Sequence, residues 1–417
     1  MSLRGLRIGV IGGSIAGTAV AVLLTRSSQD VTVFERSSRL DERGGGIGLE
    51  FAGIRKLEAL DLIDRDMPQV RAPNRIWRVK DGEQYLGRLL KRQQMNVAAV
   101  HWGLLHHQLL ARMNSKDYRS GVPVDRVENT SAGPSVLTAD GTRHSFDIVV
   151  GADGYRSRTR QSLFPAIMQT YAGYPAWRGI VDERELPDAA PVDQAMHIVG
   201  TTYGHAPFYL VPGRGGETQR GTRRLNWLWY DAGVPDDVLE LVRSADGHAH
   251  VDAVPPGDMT KKQRNYLREI SGEQLPPWHR DVVRATPAPY IQSLYDLPLD
   301  HYVAGRVCLA GDAAAIARPH TGSATLKALE DAIALAQAVD EEASIEAALA
   351  RYDVQRGSVG QQLVRVGQEL GREQVVEAPR WAGLNEAKFD KWFGSGVTST
   401  AWYAQPLHLQ ERAQVKP

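Results

Sequence analysis

Residues 8–17 read IGVIGGSIAG, an apolar run that ends in Gly12, Gly13 and Ser14, with Gly17 three residues on. Glycines at this spacing, between a buried strand and a helix, are the chemistry of an anion cradle. The first permits the tight turn, the second lets backbone approach a pyrophosphate, and the third lets helix and strand pack closely, while N–H groups at the helix start face the anion. Gly12 and Gly17 fill the first and third positions, and Ser14 stands at the second. A serine is tolerable there if the backbone does not need a positive φ, and its hydroxyl adds a phosphate donor. Glu35 closes the next strand-like run, VTVFER, eighteen residues after Gly17, where a carboxylate meets a ribose hydroxyl. Arg36 stands beside it. One such turn is a weak signal, and a surface Glu-Arg pair at a strand end is the plain alternative. The succession of turn, helix, strand and acid favours the nucleotide.

Two later stretches repeat the pattern. DIVVGADGYRSRTR at 147–160 and GRVCLAGDAAAIARPHTGSATLKALEDA at 305–332 are each a buried strand, an Asp-Gly or Gly-Asp pair, and a helix. An acid at such a strand end binds ribityl or ribose hydroxyls, and the helix N-terminus behind it faces phosphate or developing negative charge. The elements that must position these residues are legible. Leu6 to Ile11 is a buried parallel strand, and Ala16 to Leu24 a helix. Asp81-Gly82 and Asp140-Gly141 mark hairpin turns. From about Tyr171 to Tyr290, aromatic strand-like segments predict a separate antiparallel sheet, and strongly helical sequence follows from Leu326.

Bulk properties narrow the class. The chain has 417 residues, so two or three structural units are expected. Lys plus Arg and Asp plus Glu are 49 each, which argues against a nucleic-acid or anionic-membrane binder. The single cysteine, Cys308, excludes an intrachain disulfide framework and reads as an inert core residue of a cytoplasmic protein. The basic start and the apolar stretch from Ile8 resemble a secretory leader, but Gly12, Gly13, Ser14 and Gly17 interrupt it and no small-residue cleavage site follows. No later run is long enough for a membrane span. The pairs His106/His107 and His248/His250 lack the spacing of a metal site and read as surface or packing residues.

With three fingerprints in order over nearly the whole chain, the sequence is similar to the group A FAD-dependent aromatic hydroxylases, the single-component flavoprotein monooxygenases related to p-hydroxybenzoate hydroxylase. Within that group GGSIAG, YAGYPAWRG and GDAAAIARPH most resemble the dihydroxypyridine hydroxylase branch. Departures from the common pattern are Ala315 for a histidine, the run Gly322 to Leu326, and Trp102 for an arginine. The resemblance implies an α/β fold: a Rossmann-like FAD-binding domain of the glutathione-reductase type (1–72, 98–170 and 290–340), a β-rich substrate domain (73–97 and 171–289), and C-terminal helices with a tail (341–417). It implies tight, non-covalent FAD, transient NADH or NADPH, O2, a small aromatic substrate, and a homodimer without nucleic-acid, membrane or metal partners. The implied reaction is hydroxylation of a hydroxylated ring, a hydroxypyridine-type heterocycle favoured, through a C4a-hydroperoxyflavin.

Site residues follow by position. Gly12, Ser14 and Gly17 would cradle the pyrophosphate, Glu35 with Arg36 the adenosine ribose, and Asp312 the ribityl side. Asp153 and Gly154 belong to the segment this family uses for FAD and, transiently, the nicotinamide. Pro319, Gly322 and the backbone from His320 to Ala324 would run beside the isoalloxazine. The substrate face is expected from the aromatic sheet and the Arg318-Pro319-His320 loop. His320 and His205 are candidate bases, since histidine titrates near neutral pH. Tyr209 and Asn226 are candidates to bond ring oxygens, and Trp177 and Trp229 to wall the pocket, with core packing the stronger reading of Trp177 and an even alternative for Tyr209. The rival functions are a phenol- or salicylate-type hydroxylase, an FAD-dependent dehydrogenase or reductase, and a non-catalytic flavin module. A halogenase is disfavoured because no Ile-Pro follows LNWLWYD. Ser14→Gly is expected to keep its flavin and Gly12→Val to lose it, read as flavin absorbance per mole of purified protein. Loss of FAD from Ser14→Gly would give the hydroxyl a larger part than the cradle requires.

Overall fold

The apolar run at the N-terminus forms the strand Arg7–Ile11, buried from Ile8 onward, inside an open sheet. The computed structural model describes residues 3–38, 45–239 and 253–399, and the descriptions below concern those residues. The sheet order is Val303–Ala304, Val307–Leu309, Ile148–Gly151, Arg7–Ile11, Asp30–Glu35 and Tyr118–Ser120, parallel except at the first pair. A parallel sheet needs cover on both faces. Side chains alternate accordingly. Ile8, Val10, Val31, Val33, Ile148 and Val150 pack under the helices Ile15–Arg26 and Ala324–Glu341. Ile11, Phe34, Val149 and Val307 meet an antiparallel ribbon of Val124–Thr130, Gly133–Thr138 and Arg143–Ser145 on the other face. Cys308 is fully buried in its strand, where burial pushes its thiol far above the usual range.

The aromatic segments form a second sheet in the order Tyr290–Asp296, Thr170–Asp182, Arg224–Asp231, Gly204–Val211, Ala195–Thr201, Asn74–Val79 and Arg88–Gln94. Strand Tyr290–Asp296 pairs with Thr170–Asp182, so this sheet reaches past position 289 to Asp296. One face packs Trp177, Phe208, Trp227 and Trp229 against the helices Lys261–Gln274 and Pro277–Ala285. The opposite face carries Tyr174, Tyr209, Leu228 and Tyr230. A small sheet of Gly46–Glu50, Val97–His101 and Val70–Arg71 lies beside it. His248 and His250, and the tail residues Trp402, Tyr403, Pro406 and Leu409, lie outside the described residues. No helix among the described residues is long and apolar enough to cross a membrane.

The long helix Ile345–Gly371 comes unusually close to the loops it covers. A Cβ on Gly360 would lie 1.7 Å from the Tyr302 hydroxyl, and one on Gly371 2.2 Å from the Tyr174 hydroxyl. Gly360, Gly367 and Gly371 share one helix face by their spacing of seven and four. Glycine costs helix stability, so the stripe is retained for contact and not for propensity.

The Gly311-Asp312 turn is held by ionic groups buried beneath it. Gly311 has a φ of +63°. Its N–H donates to Asp331 Oδ2 at 2.9 Å, and its carbonyl accepts from Lys327 Nζ at 2.7 Å. Asp331 is completely buried, with Lys327 Nζ at 2.8 Å and Arg356 Nε at 2.7 Å. Arg160 closes the arrangement from the other side. Its Nη1 donates to the Ala313 carbonyl at 3.1 Å and its Nη2 to the Tyr155 carbonyl at 2.6 Å, which ties the Asp153-Gly154 turn to the Gly311-Asp312 turn. Asp331→Ala leaves buried Lys327 without its anion and Arg356 with Glu330 alone, at 3.6 Å, and is expected to cost about 3–5 kcal/mol. Glu377→Ala, at an exposed pair with Arg372, is expected to cost under about 1 kcal/mol. Denaturant unfolding of both variants checks the contrast, and equal small losses would refute the clamp.

Candidate active site

The carboxyl ends of the parallel strands open into a cleft of about 620 Å³ lined by Gly12, Ser14, Glu35, Asp153, Asp312 and Thr325, among others. This is where an open α/β sheet takes its ligand. Gly12 has a φ of +95°, and a Cβ there would stand 2.4 Å from the Ala152 carbonyl oxygen. A Cβ on Gly17 would stand 1.8 Å from the Gly12 oxygen. Both positions therefore refuse a side chain. Ser14 does not need to be glycine: its φ of −79° and ψ of −167° are extended backbone, and its hydroxyl makes no capping bond within the protein. The Gly13 carbonyl accepts from Thr18 Oγ1 at 2.8 Å and the Tyr118 hydroxyl at 3.0 Å, and lies 2.7 Å from His106 Nε2. A carbonyl only accepts, so that histidine nitrogen carries its proton. Glu35 accepts from the N–H groups of Gly13 and Ser37, both at 2.8 Å, and its remaining lone pairs can take ribose hydroxyls. Arg36 is exposed at the same end of the cleft.

The cleft fits FAD on three counts. Helices Ile15–Arg26 and Ala324–Glu341 both begin at it, neither has a side-chain cap, and neither has an acid in its first turn. Their N-terminal N–H groups and dipoles are thus left for an anionic ligand. The Gly12 and Gly17 positions leave only backbone at the floor of the turn. Asp312 opens into the cleft, where the packed protein around it raises its carboxyl pKa and Lys327 and Arg160 pull it back. Asp153 lines the cleft and is also tied into the chain beside it. Its oxygens accept from Ser157 Oγ at 2.5 Å, Thr159 N at 3.1 Å and Thr159 Oγ1 at 3.2 Å, so this side chain builds the start of helix Arg158–Leu163. Gly154, with a φ of +78°, follows it at the cleft wall.

A second cavity of about 250 Å³ adjoins the first, and Ala324 and Thr325 line both. Arg75, Arg178, His205, Tyr209, Tyr230 and His320 supply its polar and aromatic lining, and Pro319 and Gly322 form part of the wall toward the cleft. Gly322 has the left-handed φ of +62° that ends the Pro319–Thr321 turn. Desolvation pushes His205 down to about 3 and His320 well below its usual value, so both rings are neutral. Burial pushes Tyr209 up to about 12, and its hydroxyl donates to the Gly46 carbonyl at 3.0 Å.

Three residues expected at the substrate do not reach this cavity. Trp229 alternates onto the helix-covered face of the sheet, fully buried, with its indole N–H donating to Thr201 Oγ1 at 3.2 Å. Asn226 Oδ1 accepts from the Gly46 N–H at 2.9 Å, so Asn226 and its cross-strand neighbour Tyr209 grip one backbone unit of the small sheet. Arg318 turns away into a buried pair with Asp296, with Nη2 to Oδ2 at 2.7 Å and Nε to Oδ1 at 3.0 Å. Trp177 is core, as its position beside Trp229 requires. Sequence reasoning missed Arg75, Arg178, His106, Tyr118, Lys327 and Asp331. Strict alternation along YAGYPAWRG would have found Arg178, which must face away from a buried Trp177. No group of three or more metal-ligating side chains is assembled among the described residues.

Family models described as "FAD binding domain-like" and "FAD binding domain" match residues 171–296 and 288–366. The chain is 30% identical over 350 residues to 3-amino-4-hydroxybenzoate 2-monooxygenase of Streptomyces cremeus, covering 81% of this chain and 79% of that protein. It is 26% identical over 363 residues to 2,6-dihydroxypyridine 3-monooxygenase of Paenarthrobacter nicotinovorans, covering 84% and 87%. The solved structure of 2,6-dihydroxypyridine-3-hydroxylase from Arthrobacter nicotinovorans superposes with a TM-score of 0.80 at 25% identity, covering 92% of this chain and 96% of that one. Cradle, uncapped helix ends and these similarities together place the chain in the family of FAD-dependent aromatic monooxygenases.

Proposed function

We propose that this enzyme hydroxylates a single hydroxylated ring, a hydroxypyridine-type N-heterocycle, held in the 250 Å³ cavity as its deprotonated anion, with NADH or NADPH as passing reductant. The observation that carries the reading is the cavity's charge. Two guanidinium side chains, Arg75 and Arg178, line it, and no carboxylate does among the described residues. Arg178 Nη1 donates to Gln292 Oε1 at 2.6 Å, a neutral partner that leaves its charge for the cavity. A guanidinium about 4 Å from a ring oxygen contributes about 4 kcal/mol at an effective dielectric near 20, nearly 3 pKa units of help toward ionisation. The arginines thereby do the work that the sequence reading gave to a histidine base, since buried His205 and His320 are weak bases at neutral pH.

FAD bound in the adjoining cleft supplies hydride acceptance and oxygen activation. The chain's own residues do the rest. Met95, Met196, Ile198 and Leu228 give the cavity an apolar wall that excludes water, and the arginines favour the electron-rich anionic form of the ring. The names of the relatives specify a dihydroxypyridine and an aminohydroxybenzoate as their substrates. A carboxylated phenol is the second reading, because the same two arginines match a ring carboxylate. Hydroxypyridines, phenols and hydroxybenzoates should be compared, with NADH and with NADPH, for nicotinamide consumed and hydroxylated product formed. Hydroxypyridines are expected to give the highest ratio of product to nicotinamide, and absence of stimulated oxidation with every ring would overturn the proposal. Arg178→Met is expected to raise KM for an ionised ring about 10- to 100-fold, the loss of one charge-assisted contact. An unchanged KM would remove Arg178 from substrate binding.

A further inference from the structure

The Pro319–Thr321 turn carries His320 into the substrate cavity, and behind it lies a chain of polar groups that the reaction as described does not use. Tyr174 is fully buried, and its hydroxyl oxygen stands 2.8 Å from His320 Nε2 and 3.2 Å from Arg318 Nη1. Arg318 is held in turn by both oxygens of buried Asp296. Three independent features aim this tyrosine. The pairing of strand Thr170–Asp182 with Tyr290–Asp296 shifts register between Tyr171 and Pro175, so Tyr174 sits in a bulge, next to Gly173 with its φ of +87°. Bulges beside active sites re-aim a side chain. The helix Ile345–Gly371 closes over the hydroxyl at Gly371, where a Cβ would also fall 2.6 Å from Arg318 Nη1. Arg318 itself places its guanidinium 5.3 Å from the Tyr174 ring centroid.

The direction of the hydrogen bonds follows from donor counting. Arg318 is always protonated and has only donors, so the Tyr174 oxygen accepts from it. The phenol has one proton, and among the described residues the only acceptor within reach is His320 Nε2. Either polarity leaves one proton without an acceptor among the described residues: the reverse one, with Nε2–H donating to the phenol, strands the Tyr174 O–H behind the imidazole, and the assigned one leaves the proton on His320 Nδ1. Only the second belongs to a ring that lines the cavity, where a substrate oxygen can accept it, so the penalty is relieved on binding in that polarity alone. We propose that Tyr174 is a positioning residue: held by the Arg318–Asp296 pair, it donates to His320 Nε2 and fixes the cavity-lining imidazole as its Nδ1–H tautomer. His320 then enters the reaction as a hydrogen-bond donor. Its one basic nitrogen is occupied by the tyrosine proton, so it is not the group that deprotonates the substrate.

This inference rests on the monooxygenase reading for its kinetic consequence and not for its structural one, so two readouts separate them. Holoenzyme labelled with ¹⁵N-histidine is compared with His320→Gln to identify the His320 resonances. The expected spectrum has an unprotonated Nε2 and a protonated Nδ1, and a protonated Nε2 in the wild type overturns the proposal whatever the substrate proves to be. In Tyr174→Phe the tautomer is expected to shift toward Nε2–H, with flavin content retained. Product formed per nicotinamide consumed should fall about fivefold, the weight of one neutral hydrogen bond. An unchanged tautomer in that variant also overturns the proposal, and if the variant does not fold the wild-type spectrum decides alone. Absence of ring hydroxylation alongside the expected spectrum would count against the proposed substrate and leave the tautomer assignment standing.

Discussion

The carboxylate of Asp331 is the contact on which the two binding spaces depend. It lies wholly out of water between Lys327 and Arg356, and it takes the amide of Gly311 while Lys327 takes the carbonyl. A backbone unit in the left-handed region would otherwise be free to relax. Held at both ends, it fixes where the strand Val307–Leu309 stops and where Asp312 enters the cleft. The same helix that supplies Lys327 and Asp331 begins at Ala324, which lines both cavities. Flavin space and substrate space are therefore registered by one rigid element. A buried ion cluster is weak evidence for stability, since apolar replacements are often as good, but it is strong evidence for a defined geometry at this turn.

The aromatic sheet solves a different problem. Its helix-covered face carries tryptophans that serve only packing, while Tyr209, Tyr230, His205, Arg75 and Arg178 of the same sheet line the cavity. Period-two alternation divides structure from function residue by residue. Trp177 beside Arg178, and Trp229 beside Tyr230, are the clearest cases. Buried positive charge in the cavity is tolerable because the neighbouring imidazoles are neutral, so the arginines meet no additional cation there.

The nucleotide half was legible from the sequence because its constraints are local. Gly12, Gly17 and Glu35 follow from turn sterics and strand length alone, and the backbone angles at Ser14 explain why a side chain is accepted there. The α/β class and the presence of a second sheet were legible for the same reason. The substrate side was not, because its geometry is set by long-range pairing. Arg318 looked like a ligand until Asp296, brought near by strand pairing, claimed its guanidinium. Asn226 looked like a substrate ligand until its carbonyl oxygen took the N–H of Gly46, distant in sequence, and the side chain was placed outside the cavity lining. His205 and His320 looked like bases until the depth of their burial was known. Asp331 carried a local signal, an i, i+4 lysine within an otherwise apolar helix face, which means little until the turn it faces is visible.

The two helix ends that begin at the flavin cleft without caps change what the stability of this protein means. Their N–H groups and aligned dipoles are satisfied by water when the cleft is open and by an anionic cofactor when it is filled. Unfolding is then linked to flavin concentration by mass action, because the folded chain binds the cofactor and the unfolded chain does not. A melting temperature for this enzyme is a property of a mixture, protein plus free flavin. Sequence changes far from the cleft will look milder in flavin-rich cells than in diluted preparations.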